Sequence, residues 1–410
     1  MGENELGEDL TKSFVRKDND RGNDRKESVT VSRKLYWCSV VMGFAVLEPW
    51  NEILSCMNYF QNAYEPEHKP QFTLPMIVFL PLVGCQLFLI AYGKHFSMKL
   101  KIVTCMSILT FLVYIFLIVS RGITDKTKSF YSIVVLTLFI GTFNGIVQSS
   151  LGGLVGAMGG GGKYMAANMA GNGLSGILAN LLTLLSLAII GGSVENEFKS
   201  TMLFFIIMAA LMIGCVYVAY IMLEDPFVAD IVSNLALEKP LREIFRLTWP
   251  VFKNHGKNVF FNYVSTFVVF PGVLLKNPGT YFPQQWAVPF LIFIFNFFDT
   301  VGRFIPSYVN VIKSGAVKYL CLFRLLTVII SCLIGYGVYD GFFIDNTLII
   351  TNMIIFSTTN GLATTLTMMY GIVEAEDKDK EDTGKIMVVF LTGGIFVGSL
   401  LAQLVFSRID

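Results

Sequence analysis

Long apolar stretches alternate with short polar ones along almost the whole chain. A helix needs about 20 mostly apolar residues to cross a bilayer. Eleven stretches meet that length: 35–60, 73–92, 101–120, 130–157, 164–190, 200–223, 257–275, 285–309, 315–339, 347–371 and 384–407. The residues before them, 1–34, are polar and mixed in charge, and they read as a disordered cytoplasmic tail. The longest interruption, 224–256, divides the chain into an N-terminal bundle of six spans (35–223) and a C-terminal bundle of five (257–410). Within it, 240–252 has the pattern of a short amphipathic helix lying on the membrane surface. The pattern therefore predicts an all-α polytopic membrane protein with eleven transmembrane helices.

Composition agrees. Of 410 residues, 54% are hydrophobic and only 15% charged, against about 25% charged in a soluble domain. Lys and Arg in the loops set orientation. With the N-terminus in the cytoplasm, 22 of them fall inside and seven outside, so the C-terminus is expected outside. Near-zero net charge (+1) and no basic patch argue against nucleic acid as a partner. The seven Cys form no CxxC pair and the three His have no ligand spacing, so no metal site is expected. Nucleotide-binding, metalloprotease and hydrolase motifs are absent, as is any nucleophile–base constellation, so neither an enzyme nor a cofactor is expected. The first 30 residues have no apolar core of the signal-peptide kind, and no Asn-x-Ser/Thr sequon occurs.

Polar residues inside apolar stretches carry the candidate chemistry. A charge in hydrocarbon costs ~3 kcal/mol or more, so such residues usually face a bundle interior or a watery cavity. In the eighth stretch, Asn296, Asp299 and Arg303 share a helix face, and the last two can pair. They line a transport path, or they lock helices together. The first stretch holds Leu47-Glu48-Pro49-Trp50-Asn51-Glu52. Pro49 permits a kink, and Trp50 offers a flat apolar face to a planar ring, or else sits at the interface. The fourth is rich in Gly and Ser around Gln148, whose amide suits a heterocycle, a sugar or a neighbouring helix. Gly159–Gly162 reads as a tight turn and not as a phosphate loop. Asn172 is the polar candidate of the fifth stretch, and Thr358-Thr359-Asn360-Gly361 forms a polar cluster in the tenth. Phe270-Pro271 should break the seventh helix near its outer end, and Arg324 is expected to snorkel to the cytoplasmic edge.

Taken in order, these elements resemble the equilibrative nucleoside transporter family. The match runs through Pro49-Trp50-Asn51, the glycine stretch around Gln148, Ala170–Gly176, Phe270-Pro271, Asn296–Arg303, Asn360-Gly361 and Glu381–Met387, over about residues 35–407. The compact loops resemble protozoan members. The resemblance implies a six-plus-five, major-facilitator-like fold and facilitative transport of purine nucleosides such as adenosine and inosine, with nucleobases a further substrate class. It implies a monomer in the lipid bilayer, in the plasma membrane by default. Carried over, Leu47 and Trp50 would wall the base, and Gln148 would bond its edge. Asp299 and Arg303 would meet the ribose or its surroundings, with Asn296 also binding substrate, while Glu48, Leu54, Asn172, Phe270 and Asn360 would line the path or gate it. Glu48 stands where relatives commonly carry an apolar residue, and Asn172 where they carry Gln. Glu48 and Glu52 leave two alternatives open: proton-coupled transport of nucleosides or nucleobases, or a carrier of organic cations.

Overall fold

The computed structural model describes residues 31–64, 68–191, 194–234, 241–277, 279–281, 284–308, 312–337 and 346–406, so the predicted tail lies outside it up to residue 30. All regular structure among these residues is helical. The long helices are α1 (Arg33–Ser55), followed after Cys56 by the short α2 (Met57–Tyr64), then α3 (Pro70–Tyr92), α4 (Cys105–Gly122), α5 (Lys126–Ala157), α6 (Lys163–Ile190) and α7 (Val194–Leu223). Two short helices follow, α8 (Pro226–Asn234) and α9 (Leu241–Val251), and then α10 (Lys257–Val269), α11 (Gln284–Tyr308), α12 (Val317–Gly335), α13 (Asn346–Val373) and α14 (Lys380–Phe406).

Local chemistry sets the ends. The Ser32 hydroxyl accepts from Leu35 N and opens α1, and the Asp125 carboxylate accepts from Lys128 N at 2.9 Å and opens α5. Gly159 to Gly162 all have positive φ, which turns α5 sharply into α6. The described residues of 224–256 are largely helical. Pro226 starts α8, and α9 runs through a π-helical turn (Phe252–Gly256) straight into α10. The seventh apolar stretch is thus the end of a longer helical run.

Among the described residues, eight helical segments are long and apolar enough to cross a membrane. The helices at the other three apolar stretches depart for visible reasons. α1 carries Glu48, Asn51 and Glu52, α10 is only 13 residues long, and α13 is rich in Thr and Asn. Large apolar side chains such as Phe111, Ile213, Tyr217, Leu322 and Ile329 stay exposed, as lipid-facing side chains do.

The packing repeats between the two halves. α1 lies on α6 and α3 on α5; correspondingly, α10 lies on α14 and α11 on α13. Two seams join the halves: α6 with α11, and α14 with α3 and α5. Small residues make these approaches possible, since apolar burial drives little association in lipid. A Cβ on Gly43 would strike the Asn168 carbonyl, and one on Gly171 the Val40 carbonyl, so α1 and α6 touch backbone to backbone. Gly302 and Gly361 do the same for α11 and α13. At the seams, Gly173 and Gly176 of α6 receive Thr300, Arg303 and Asn296 of α11, while Gly152 of α5 meets Gly384 and Val388 of α14.

Candidate functional site

The densest polar cluster lies where α10, α11, α12 and α13 meet, against α6. Four-residue spacing puts Asp299 and Arg303 on one face of α11, and Arg303 Nε donates to Asp299 Oδ2 at 2.7 Å. Both are almost fully buried. The other carboxylate oxygen accepts from Asn360 Nδ2 at 2.7 Å. Asn360 Oδ1 in turn accepts from Asn262 Nδ2 at 3.0 Å and from the Thr266 hydroxyl at 2.8 Å. The remaining guanidinium nitrogens of Arg303 donate to Tyr263 Oη at 3.1 Å and to the Met169 carbonyl at 3.3 Å. Met169 is on α6, so this last bond crosses the seam between halves.

Arg324 extends the cluster. It is fully buried and does not snorkel. Its guanidinium donates to Thr266 Oγ1 at 2.6 Å, the Phe356 carbonyl at 2.7 Å and Thr359 Oγ1 at 3.0 Å, with its Cζ 4.8 Å from the Phe356 ring centroid. Snorkelling fails because these acceptors and the ring lie within reach in the interior, where a desolvated cation–π contact contributes about 2 kcal/mol.

A line of aromatic rings leads from α1 to this cluster. Trp50 meets Phe79 of α3 edge-on at 5.4 Å, Phe79 meets Phe267 of α10 at 6.0 Å, and Phe267 stacks with Tyr263 at 6.2 Å. The Tyr263 hydroxyl receives the Arg303 bond. Nearby, the second seam holds its own polar link. Gln86 Nε2 of α3 donates to Gln148 Oε1 of α5 at 3.0 Å, and the Thr392 hydroxyl of α14 donates to Gln86 Oε1 at 2.5 Å.

The structure brings together Asp299, Arg303 and Asn360 directly, and links Trp50 to them through three rings. Gln148 joins a separate amide pair. Asn296 lies against Gly176 at the α6 seam with its amide nitrogen unpartnered. Leu47 packs at the edge of the core, and Leu54 is buried in it. Asn172 is buried, with a long contact to Met169 Sδ at 3.9 Å and its carbonyl oxygen unpartnered. Phe270, just past the end of α10, stacks on Phe295 of α11 at 4.1 Å. Glu48 does not join the cluster. With Glu52 it lines a cleft between α1, α4 and α7.

Several participants escaped the sequence reading: Gln86, Asn262, Tyr263, Thr266, Phe79, Phe267 and Thr392. Gln86 carried a signal, being the one long amide in an otherwise apolar stretch. Asn262 and Thr266 carried another, as polar residues four apart in the seventh stretch.

At the ends where α10 begins and α13 stops, His255 Nε2 lies 2.7 Å from Glu374, whose other oxygen accepts from the Ser314 hydroxyl. Partial burial pushes the Glu374 carboxyl up, but the Ser314 and His255 bonds outweigh it and hold the group below its ordinary value. Lys385 pairs with Glu381 in the first turn of α14, beside Gly153 of α5.

Known proteins share both the sequence and the shape. Equilibrative nucleotide transporter 4 of Arabidopsis thaliana is 26% identical over 404 residues, covering 89% of this chain and 92% of that one. Equilibrative nucleotide transporter 8 of the same plant is 22% identical and covers 93% and 97%. In fold, the chain resembles the crystal structure of a mutant of the nucleoside transporter NupG, with a TM-score of 0.59 at 14% identity and 92% of each chain covered. It also resembles the human organic anion transporter MFSD10 (TETRAN), with a TM-score of 0.51 at 14% identity, covering 90% of this chain and 91% of that one. The sequence pattern defining the nucleoside transporter family matches residues 133–243 and 233–406, which is well over half of the chain, and the chain belongs to that family.

Proposed function

We propose that the protein carries purine nucleosides, adenosine and inosine among them, and nucleobases across a membrane by alternating access. Eleven spans would cross the bilayer, six (35–223) and five (257–410), with the N-terminus inside and the C-terminus outside. Solute gradients alone drive a carrier of this kind. The plasma membrane is the expected location, and a monomer suffices.

One observation carries the reading: Arg303 bonds Asp299 in its own half and the Met169 carbonyl in the other, at the end of the Trp50–Phe79–Phe267–Tyr263 ring line. A carboxylate beside a guanidinium offers both an acceptor and a donor, which suits the vicinal hydroxyls of a ribose. Flat aromatic faces suit a purine. The Gln86–Gln148 pair offers amide groups for the base edge once its own bond opens. Leu47 would wall the base and Asn296 extend the polar strip. Leu54, Asn172, Phe270 and Asn360 would line or gate the path.

An organic-cation carrier is less well supported, because Glu48 and Glu52 line a cleft of the first half and not the α6–α11 seam. The test is uptake of labelled adenosine into proteoliposomes, with unlabelled nucleosides and amines as competitors. Saturable uptake blocked by inosine and not by amines is expected. Block by amines alone would contradict the reading.

A further inference from the structure

One face of α9 is apolar: Ile244 and Val251 are buried, and Leu247 packs against the core between them. On the opposite face Arg242, Arg246 and Trp249 are exposed and stand four and three residues apart, so they form one row. Lys253, also exposed, continues the row into the π turn. No ion pair among the described residues holds Arg242, Arg246 or Lys253. Glu243, the one acid of α9, lies about 100° from Arg242 round the helix axis. The row is fixed to the bundle, since Trp249 meets Phe252 at 5.9 Å and Phe252 meets Phe390 of α14 at 5.1 Å. Trp249 nevertheless keeps 67% of its surface exposed. A ring so exposed is costly in water, and Trp is enriched where membrane meets water. The same helical run then reaches lipid: one turn past the half-buried Lys257, Phe261 of α10 is 59% exposed. Beside Lys257, Cys321 of α12 donates to the Asn258 carbonyl at 3.6 Å. Just before Cys321 stand the exposed Lys318 and Tyr319, with Lys318 Nζ 5.0 Å from the ring centroid. A Tyr and a Lys at a helix end mark headgroup depth, and α9 joins α10 at that level.

From this placement we propose that α9 docks the row Arg242, Arg246, Trp249 and Lys253 on anionic phospholipid headgroups of its leaflet, the cytoplasmic one in the orientation proposed above. The proposal needs the membrane embedding and not the choice of solute. Charge complementarity selects the headgroup. Three cations without an acidic partner meet phosphate and carboxylate oxygens, which the two Arg forks bind in pairs and Lys253 meets as a point charge. A zwitterionic headgroup offers the same phosphate, but its own cation cancels much of the attraction. The Arg and Lys stems lie along apolar surface while their heads reach the phosphates, and the Trp249 ring enters the layer between headgroup and acyl chain. An acidic protein would match the charges but would give the Trp249 ring no apolar layer. The continuity of the row with the lipid-facing Phe261 favours lipid.

The experiment uses the full chain in nanodiscs containing lipid brominated near the top of its acyl chains, with either a serine or a choline headgroup. Trp249 emission is read in each background as the signal lost on Trp249→Phe. Brominated phosphatidylserine should quench it at a mole fraction roughly fivefold lower than brominated phosphatidylcholine, the factor that one base near an anionic surface gives. Raised salt should remove most of that preference, and so should Arg242→Gln, Arg246→Gln and Lys253→Gln combined. The three side chains are exposed, so the triple variant should melt like wild type. If it does not fold, the salt dependence in wild type still decides. Soluble glycerophosphoserine, which lacks acyl chains, should leave the quenching unchanged. Quenching by neither lipid would place the row in water, and equal quenching by both would take headgroup charge out of the account. Protection by glycerophosphoserine would mean a site for free phosphate. Each of these would overturn the proposal, as would a folded triple variant that keeps the wild-type preference, or a preference that salt leaves intact.

Discussion

The two halves of the molecule bury charge in opposite ways. In the second half Asp299, Arg303 and Arg324 sit in a mesh where both carboxylate oxygens of Asp299 and all three nitrogens of Arg303 have protein partners, and only Arg324 Nε and Asn262 Oδ1 of the mesh are left over. In the first half Glu48 and Glu52, one turn apart, each leave a buried oxygen unpartnered. A multiply bonded network holds its geometry, because every rearrangement breaks several bonds in a medium of low dielectric. A pair with open acceptor positions is held by fewer bonds and rearranges at less cost. The contrast explains why the fixed cluster lies at the seam, where a solute would need a rigid template. The unsaturated pair lies against α4 and α7, on a helix that carries Pro49.

Changes that break this contrast should act in proportion to the bonds they remove. The largest effect is expected from Arg303→Ala, which leaves Asp299 buried without its counter-charge. Loss of one partner of a buried pair costs about 3–5 kcal/mol, so adenosine uptake should vanish and thermal stability in detergent should fall sharply. Gly361→Ala comes next. Its new methyl group would meet the Asp299 carbonyl and force α11 from α13, for about 1–3 kcal/mol by Tm. Gly214→Ala is the control, since nothing lies near its Cβ position, and a helical Gly-to-Ala change there should be neutral or stabilise by up to about 1 kcal/mol. Trp50→Ala removes the ring that meets Phe79, worth about 0.5–1.5 kcal/mol beyond its buried area, and should raise KM for adenosine roughly tenfold. The smallest effect is expected from Glu374→Gln. Its lowered folded-state pKa stabilises at neutral pH, and that contribution disappears as acid protonates the group through its folded value. The side chain is 43% exposed, so the loss should stay below about 1 kcal/mol and should shrink in salt.

Much of this was legible along the chain, for physical reasons. Each apolar stretch holds a helix because, in lipid, backbone bonds must be satisfied within the segment. The Asp299–Arg303 spacing was readable because partners four apart on a helix are local. What sequence could not show was long-range pairing. Gln86 meets Thr392 across 306 positions, and Arg324 finds Thr266 across 58. Arg324 was misread for that reason: a lone cation near a stretch's end resembles a snorkelling one until its acceptors are known. Within 224–256 the helix expected at 240–252 corresponds to α9 (Leu241–Val251), but its continuation through a π turn into α10 carried no signal in the sequence pattern. Position along α1 does not reveal that Glu48 faces α4 and α7 while Trp50 faces α3.

The central claim is that the fixed cluster at the seam handles the nucleoside. Its most direct test is counterflow of labelled adenosine in proteoliposomes holding wild type or Asp299→Asn, matched for folded protein. The account predicts saturable counterflow in wild type and none above the protein-free background in Asp299→Asn, because an amide cannot hold the Arg303 charge. Equal counterflow in both would contradict it.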